Sequence, residues 1–325
     1  MNQMNALLSK IKTNHICIQT HQFPDPDAIA CAYAMQELLA NYKITSDICY
    51  EGLIDKNSTK KMIEYLQVKM IHTDLDDMER YYDTILLVDS QMGNSNSSSL
   101  CGNSIMCIDH HPSFHMQNYD FEDIRTTYGA CATIVLQYFL ENNQFISQKV
   151  ATALVYGMQI DTDNFTRGTS IEDVEAFRIL FPLCDEEFLN TIHKSRLDRS
   201  GIIAYAHSFS HMEFINGICF ANVGDDCPDS LVATISDFTL AIDEVQLSVV
   251  YTKKPDGIKF SMRSISAQYD TGILIHSMLS GVGEGGGHAM MAGGFIPYKE
   301  GRNEEEVIEI VKAKLIYLIR SICES

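Results

Sequence analysis

The chain has 325 residues, enough for two domains and a sizeable core. With 46% hydrophobic and 21% charged residues it has the composition of a folded globular protein, and no apolar stretch approaches the roughly 18 residues needed to span a bilayer. A formal net charge of −19 argues against a broad basic face that grips long DNA or RNA, and leaves room for a short phosphate-bearing ligand at a local basic site.

The first residues lack the apolar core and cleavage site of a secretory signal and read as an amphipathic helix. Ten cysteines are present, but Cys17, Cys31, Cys107, Cys131 and Cys219 lie inside apolar runs and no Cys-x-x-Cys pair occurs, so reduced, buried thiols in a cytoplasmic protein are expected. Across residues 14–180, strands predicted at 15–20, 46–50, 84–88 and 104–108 alternate with helices at 27–41, 57–67, 130–142 and 147–158. That alternation predicts an α/β domain with a mainly parallel sheet covered on both faces. Asn94-Ser-Asn-Ser-Ser-Ser is expected to be a polar surface loop. From Phe181, charged helical sequence continues through Arg199 as a linker helix or pair. Beyond it, strands are predicted at 217–223, 245–251 and 258–264, with a Pro255-Asp256-Gly257 turn between the last two, and helices at 229–240, 270–280 and 303–322.

Acidic residues recur at the ends of the apolar segments in the first part. Asp25 and Asp27 follow His15–His21; Asp89 follows Thr84–Val88; Asp109-His110-His111 follows Ser104–Ile108; Asp161 follows the helix at 147–158. In open α/β sheets, ligands bind at the carboxyl ends of the strands. Carboxylates gathered there would repel one another unless cations sat among them. A lone Asp after a strand is commonly a helix cap or turn residue. Capping accounts for neither His21 nor the His-His pair, so a divalent metal cluster is the simplest reading. Imidazole mixed with carboxylates favours Mn²⁺, with Mg²⁺ next, and suits structural zinc poorly.

In the second part, Gly281-Val-Gly-Glu-Gly-Gly-Gly-His288 is expected to precede a helix, where closely approached N–H groups could hold an anion; a flexible turn is the plain alternative. Arg263 offers a guanidinium fork to a terminal phosphate, and Ser264 is a weaker candidate. Arg167 reads either as a substrate contact or as a surface arginine. His115, His193, His207 and His211 lack a motif context. The aromatic residues form no evident base-stacking platform.

These motifs, in this order, resemble the DHH-family phosphoesterases that carry a C-terminal DHHA1 domain. The matching segments are His21-x-x-x-Asp25-x-Asp27-Ala-Ile-Ala, Asp89 after a strand, Asp109-His110-His111-Pro112, Gly157-Met-x-x-Asp161-Thr and Gly285-Gly-Gly-His288, and together they cover nearly the whole chain. The resemblance implies a DHH catalytic domain at 1–190, a linker helix at 191–213 and a smaller α/β DHHA1 domain at 214–325, with a cleft between the two domains. It implies two divalent ions: one held by His21, Asp25 and Asp89, the other by Asp27, Asp89, His110 and Asp161, with Asp89 shared. Asp109 would orient its neighbours. His111 would face the scissile phosphate, the alternative being that it only holds a carboxylate in place. Arg263, Ser264, Gly285, Gly286, Gly287 and His288 would bind substrate. Two departures, Pro26 where many members have Gly and Cys31 where a small Gly or Ser is common, bear on packing more than on the ligands.

The implied activity is hydrolysis of short oligonucleotides or pAp to mononucleotides. Hydrolysis of cyclic or linear dinucleotides is the alternative. A nucleotide sensor that retains the fold is the non-enzyme alternative, and the intact acidic motifs speak against it. The expected partner is a short nucleotide substrate, with no long nucleic acid and no membrane; a homodimer is left open.

Overall fold

The continuous apolar runs of the first part form strands because both faces of the sheet are covered, which leaves no polar face to alternate with. In the computed structural model, which describes residues 2–73, 82–93, 102–113, 117–194, 199–266, 268–287, 289–299, 301 and 303–323, the chain divides into two units, 1–196 and 197–325. The first unit contains α1 (Gln3–Leu8), β1 (His15–Gln19), α2 (Pro26–Ala40), β2 (Thr45–Tyr50), α3 (Asn57–Leu66), β3 (Met70–His72), β4 (Thr84–Val88), β5 (Ser104–Asp109), β6 (Phe121–Ile124), α4 (Cys131–Glu141), α5 (Gln148–Asp161), α6 (Ile171–Leu180) and α7 (Glu186–Lys194). Its strands form one parallel sheet in the order β3-β2-β1-β4-β5-β6.

That order fixes where a site can form. The chain leaves β1 toward β2 and β3, then returns to place β4, β5 and β6 on the other side of β1. The loops after β1 and β4 therefore diverge and open a crevice at the carboxyl ends of the two central strands. β3 and β6 lie outside the predicted strands. β3 has only three residues, and β6, Phe-Glu-Asp-Ile, is an edge strand carrying two acidic residues.

Helix α2 is buried on nearly all sides, as expected of a helix whose apolar residues are not confined to one stripe. It packs against α5 and α4. The approach to α5 is so close that a Cβ at Gly157 would lie 2.6 Å from Asp27 Oδ1 and 3.0 Å from Asp27 Cα. Gly157 sits mid-helix, where replacing Gly by Ala ordinarily stabilises by roughly 1 kcal/mol. Here the sign should reverse. Gly157→Ala is expected to cost about 1–3 kcal/mol through overpacking and to displace the Asp27 carboxylate. Urea unfolding with and without Mn²⁺ checks this; a more stable variant with unchanged metal response would show that the helices can part freely.

The second unit contains α8 (Arg199–Ser210), β7 (Met212–Ile215), β8 (Ile218–Asp225), α9 (Asp229–Thr239), β9 (Leu247–Lys254), β10 (Gly257–Ser264), α10 (Thr271–Leu279), β11 (Glu284–Gly287), β12 (Met291–Pro297) and α11 (Glu304–Cys323). Its sheet runs β11-β12-β10-β9-β8-β7, parallel between β8 and β9 and antiparallel elsewhere. Phe220, Val249, Phe260, Met262, Ile275 and Leu315 anchor its core. Pro255 and Asp256 make the tight connection between β9 and β10, as expected.

The glycine run departs from expectation. Gly285, Gly286 and Gly287 follow helix α10 and form strand β11, paired with β12, instead of preceding a helix. Their packing explains two of the three. A Cβ at Gly285 would press on Ile275 and Leu279, and one at Gly287 would lie 2.5 Å from the Ala292 backbone, whereas Gly286 faces open space.

The described cysteines Cys17, Cys31, Cys49, Cys107, Cys131, Cys184, Cys219 and Cys227 are all free and buried. Among the described residues, no helix is long and apolar enough to cross a membrane.

Candidate metal centre

His21 and Asp25 follow β1, Asp89 follows β4, and Asp109, His110 and His111 end or follow β5, so all six lie at the carboxyl edge of the central strands. Asp27 enters from the first turn of α2 and Asp161 from the last residue of α5. Asp89 has a left-handed backbone, φ 54°, a conformation that Asp and Asn tolerate better than other side chains.

These side chains form overlapping groups whose ligand atoms lie within 4.8 Å of one another: His21, Asp25 and Asp89; Asp27, Asp89, His110 and Asp161; and Asp89, Asp109, His110 and His111. Asp89 belongs to all three. His21 Nε2 is 3.9 Å from Asp25 Oδ1 and 3.7 Å from Asp89 Oδ2. His110 Nε2 is 3.4 Å from Asp89 Oδ1 and 3.0 Å from Asp161 Oδ2. Both histidines are held by their other nitrogen: Nδ1 of His21 lies 2.7 Å from the Gln22 carbonyl, and Nδ1 of His110 lies 3.1 Å from the Tyr128 carbonyl. Each carbonyl accepts from Nδ1–H, which leaves Nε2 as the lone-pair donor for a cation. Asp89 Oδ1 and His110 Nε2 are buried and have no hydrogen-bond partner among the described residues. Unsatisfied buried polar atoms are costly. A mixed imidazole and carboxylate donor set with such orphaned atoms fits a hard or borderline divalent cation.

Helix caps and candidate ligands coincide here. Asp25 is the N-cap of α2, its Oδ1 accepting from the backbone of Asp27 and Ala28 at 2.9 and 3.0 Å. Fully buried Asp27 accepts from the first N–H groups of α4, Cys131 at 2.7 Å and Ala132 at 3.2 Å. Asp109, also fully buried, accepts from Gln91 Nε2, from His111 Nδ1 and from the His110 N–H. Gln91 also donates to the His111 carbonyl at 2.7 Å. His111 is about half exposed, with a side-chain exposure of 47% against 11% for His110.

The crowding shifts proton affinities. Burial presses His21 down, but Asp25 and Asp89 outweigh it and lift it to about 10. Burial raises Asp89, His110 draws it back, and Asp25 and Asp161 push it up again, to about 6. Burial and the neighbouring carboxylates raise Asp27 and Asp161 as well. For His111, burial is overcome by the Asp109 carboxylate, and the imidazole is raised. The metal-free centre therefore retains protons near neutral pH that a cation must displace. Mn²⁺ uptake at pH 7 should release protons, and apparent affinity should rise between pH 6 and 8. Calorimetric titration in buffers of different ionisation enthalpy measures this; heats independent of the buffer would contradict it.

Arg167 lies beside the centre, its Nη2 donating to the Asp161 carbonyl at 3.0 Å. Arg263, Ser264 and Gly285–Gly287 belong to the second unit. Arg263 Nε donates to Asp237 at 2.9 Å and Nη1 donates to the Met262 carbonyl. The Ser264 hydroxyl lies within donating distance of the Gln246 and Ser266 carbonyls and accepts from the Ser266 N–H, which ties down the end of β10. His288 and His115 lie outside the described residues. The groups that hold the candidate ligands in place carry no motif in the sequence: Gln91, the Tyr128 carbonyl and the α4 N–H groups. Only the position of Gln91, two residues after Asp89, could have pointed to it.

Fold and site together define a candidate metal centre at the carboxyl edge of a parallel sheet. Residues 15–158 match the model of the DHH family, N-terminal domain, and residues 216–316 that of the DHHA1 domain. The chain carries a DHH-family N-terminal domain and a DHHA1 domain. An uncharacterized protein of Methanocaldococcus jannaschii is 30% identical over 312 residues, which are 94% of this chain and 64% of that protein. The Probable bifunctional oligoribonuclease and PAP phosphatase NrnA of Streptococcus mutans serotype c is 25% identical over 171 residues, 51% of each chain. The chain thus spans about half to two thirds of the length of these relatives. An exopolyphosphatase-related protein from Bacteroides fragilis shares the fold with a TM-score of 0.75 at 17% identity, covering 96% of this chain and 94% of the other. RecJ of Thermus thermophilus, solved with Mn²⁺, shares it at a TM-score of 0.56 and 12% identity, covering 97% of this chain and 54% of RecJ.

Proposed function

We propose that this protein is a divalent-metal-dependent phosphoesterase that hydrolyses short oligonucleotides or pAp. The observation that carries the reading is Asp89, a buried left-handed carboxylate common to all three candidate ligand groups, with an oxygen that no hydrogen bond satisfies among the described residues. His21, Asp25 and Asp89 would hold one cation, and Asp27, Asp89, His110 and Asp161 a second. Bound there, divalent cations supply Lewis acidity toward a phosphoryl oxygen and lower the pKa of water.

The chain's own groups do the rest. Asp109 fixes the His111 ring through Nδ1, which leaves Nε2 to meet the phosphoryl or leaving-group oxygen, and the raised pKa of His111 keeps a proton available there. Within the second unit, Arg263, Gly286 and His288 are the residues we assign to phosphate binding. Gly286 suits this role because no packing demand explains its missing side chain. The net charge of −19 disfavours long strands.

The test is a turnover panel with Mn²⁺: pAp, a dinucleotide, a five-base RNA, cyclic di-AMP, polyphosphate and pyrophosphate. The highest kcat/KM is expected on pAp or the dinucleotide. Full activity in excess chelator overturns the metal reading. A clear preference for cyclic di-AMP, or for strands of about twenty-five nucleotides, overturns the substrate reading.

A further inference from the structure

Phe23 stands out among the aromatic residues. It lies between two residues of the metal centre, two after His21 and two before Asp25, yet it is 61% exposed. Its backbone is left-handed, φ 57°. A bulky side chain rarely adopts that region, and Pro24 restricts the same residue further. Strained backbone of this kind persists only where the surroundings enforce it, and it clusters at ligand sites.

The surroundings are built for it. The Phe23 N–H donates to the Glu51 carbonyl at 2.9 Å, and Gln22 Nε2 donates to the Glu51 carboxylate at 2.8 Å. The next residue, Gly52, has φ +78° and seats the ring: a Cβ there would lie 2.7–2.9 Å from three of its atoms. His72, at the end of β3, lies with Nε2 3.0 Å from the Gly52 carbonyl. One side of the ring thus rests on a glycine turn held from the neighbouring strands. The side chain is otherwise largely exposed, on the loop that carries His21 and Asp25. A lone exposed Phe is ordinary on a protein surface. One held in a strained conformation on a glycine seat, inside a ligand loop, is not explained by burial.

We infer that Phe23 is a specificity-determining residue whose exposed ring stacks on the nucleobase attached to the phosphate at the metal centre. The inference rests on the phosphoesterase reading and adds the feature by which the site would favour nucleotides over base-free phosphoesters. No platform is evident in the sequence because the aromatic residues are scattered along the chain; a single seated ring suffices, since every base has a π-face.

The test compares the Mn²⁺-loaded full chain with Phe23→Ala, Phe23→Leu, Phe23→Tyr and Phe23→Gly. The substrates are a dinucleotide and its abasic analogue with the same phosphodiester. The ratio of their kcat/KM values should fall roughly five- to a hundredfold in the Ala and Leu variants, the range of one base stack, chiefly through KM, and should return in Tyr. Bound Mn²⁺ should not change. Phe23→Gly should lose the ratio while keeping or raising Tm, because glycine relieves the positive φ; a packing role would instead lower Tm. Binding is read separately with a phosphorothioate dinucleotide carrying 2-aminopurine, whose fluorescence wild type should quench and Phe23→Ala should not. An unchanged ratio in Ala, a wild-type ratio in Leu, or a change of oligomeric state with the ratio intact overturns the stacking proposal and leaves the phosphoesterase reading standing. If wild type cleaves neither substrate, the phosphoesterase reading is decided by its turnover of pAp, and the 2-aminopurine titration alone decides Phe23: quenching lost in Ala supports it, and quenching absent or unchanged overturns it.

Discussion

Asp89→Asn should abolish Mn²⁺ uptake and lower turnover by well over the roughly 10–100-fold that loss of an outer hydrogen-bonding partner costs at a metal site. Asn keeps the shape and accepts the left-handed backbone at φ 54°, so the variant should fold. In metal-free protein it should even be the more stable of the two. Asp89 is raised to about 6, above its unfolded value near 3.9, so the native state binds this proton more tightly than the unfolded chain. The sign follows: the protonated residue favours folding at low pH, and that stabilisation is lost as pH rises from about 4 through 6. At pH 7 the buried carboxylate burdens the metal-free fold, and Asn removes it. Added Mn²⁺ reverses the ranking, since a ligand at a hundred times its Kd stabilises wild type by about 2.7 kcal/mol and leaves a non-binding variant untouched. Thermal melts of both proteins with and without Mn²⁺ read the crossing directly. A variant that still binds Mn²⁺ and turns over normally would remove Asp89 from the centre.

Much of this centre was legible because its side chains sit where sequence patterns end. β1, β4 and β5 are apolar runs, and His21, Asp89, Asp109 and His110 stand at or just past their last residues. What the sequence hides is what holds those side chains. The Tyr128 carbonyl that orients His110 and the Cys131 N–H that meets Asp27 are backbone groups, available at any residue and assigned only by the fold. The left-handed turn at Phe23 is hidden for a similar reason, because no glycine or asparagine marks it. The glycine run forms a strand where the sequence suggests a turn before a helix, because glycines in the two settings look alike locally. Only the pairing of Gly285 with Gly294 and Gly287 with Ala292 decides between them.

Asp25 is a helix cap and a candidate ligand at once. Its Oδ1 caps α2 and also lies 3.9 Å from His21 Nε2. A carboxylate has about four lone-pair sites, so it can hold a helix end and face a cation together. The cap fixes the carboxylate in advance, and the stiff Pro24-Asp25-Pro26 segment keeps the loop from relaxing away.

The two adjacent histidines should separate binding from rate. His110 is largely buried, held through Nδ1 by Tyr128, with its orphaned Nε2 aimed at Asp89 and Asp161. Its neighbour is turned the other way: His111 gives Nδ1 to Asp109 at 2.9 Å, and nearly half of its side chain is exposed. His110→Ala is therefore expected to lose bound Mn²⁺ and, with it, activity. His111→Ala should keep the metal and lose roughly 10²–10³ in kcat, the usual cost of removing one transition-state donor. KM should change little, because the missing contact strengthens only as charge develops. Metal analysis of the two purified variants, beside their kcat and KM, distinguishes the roles. Metal lost from His111→Ala and retained in His110→Ala would exchange the assignments, and wild-type turnover in His111→Ala would make its bond to Asp109 a purely structural one.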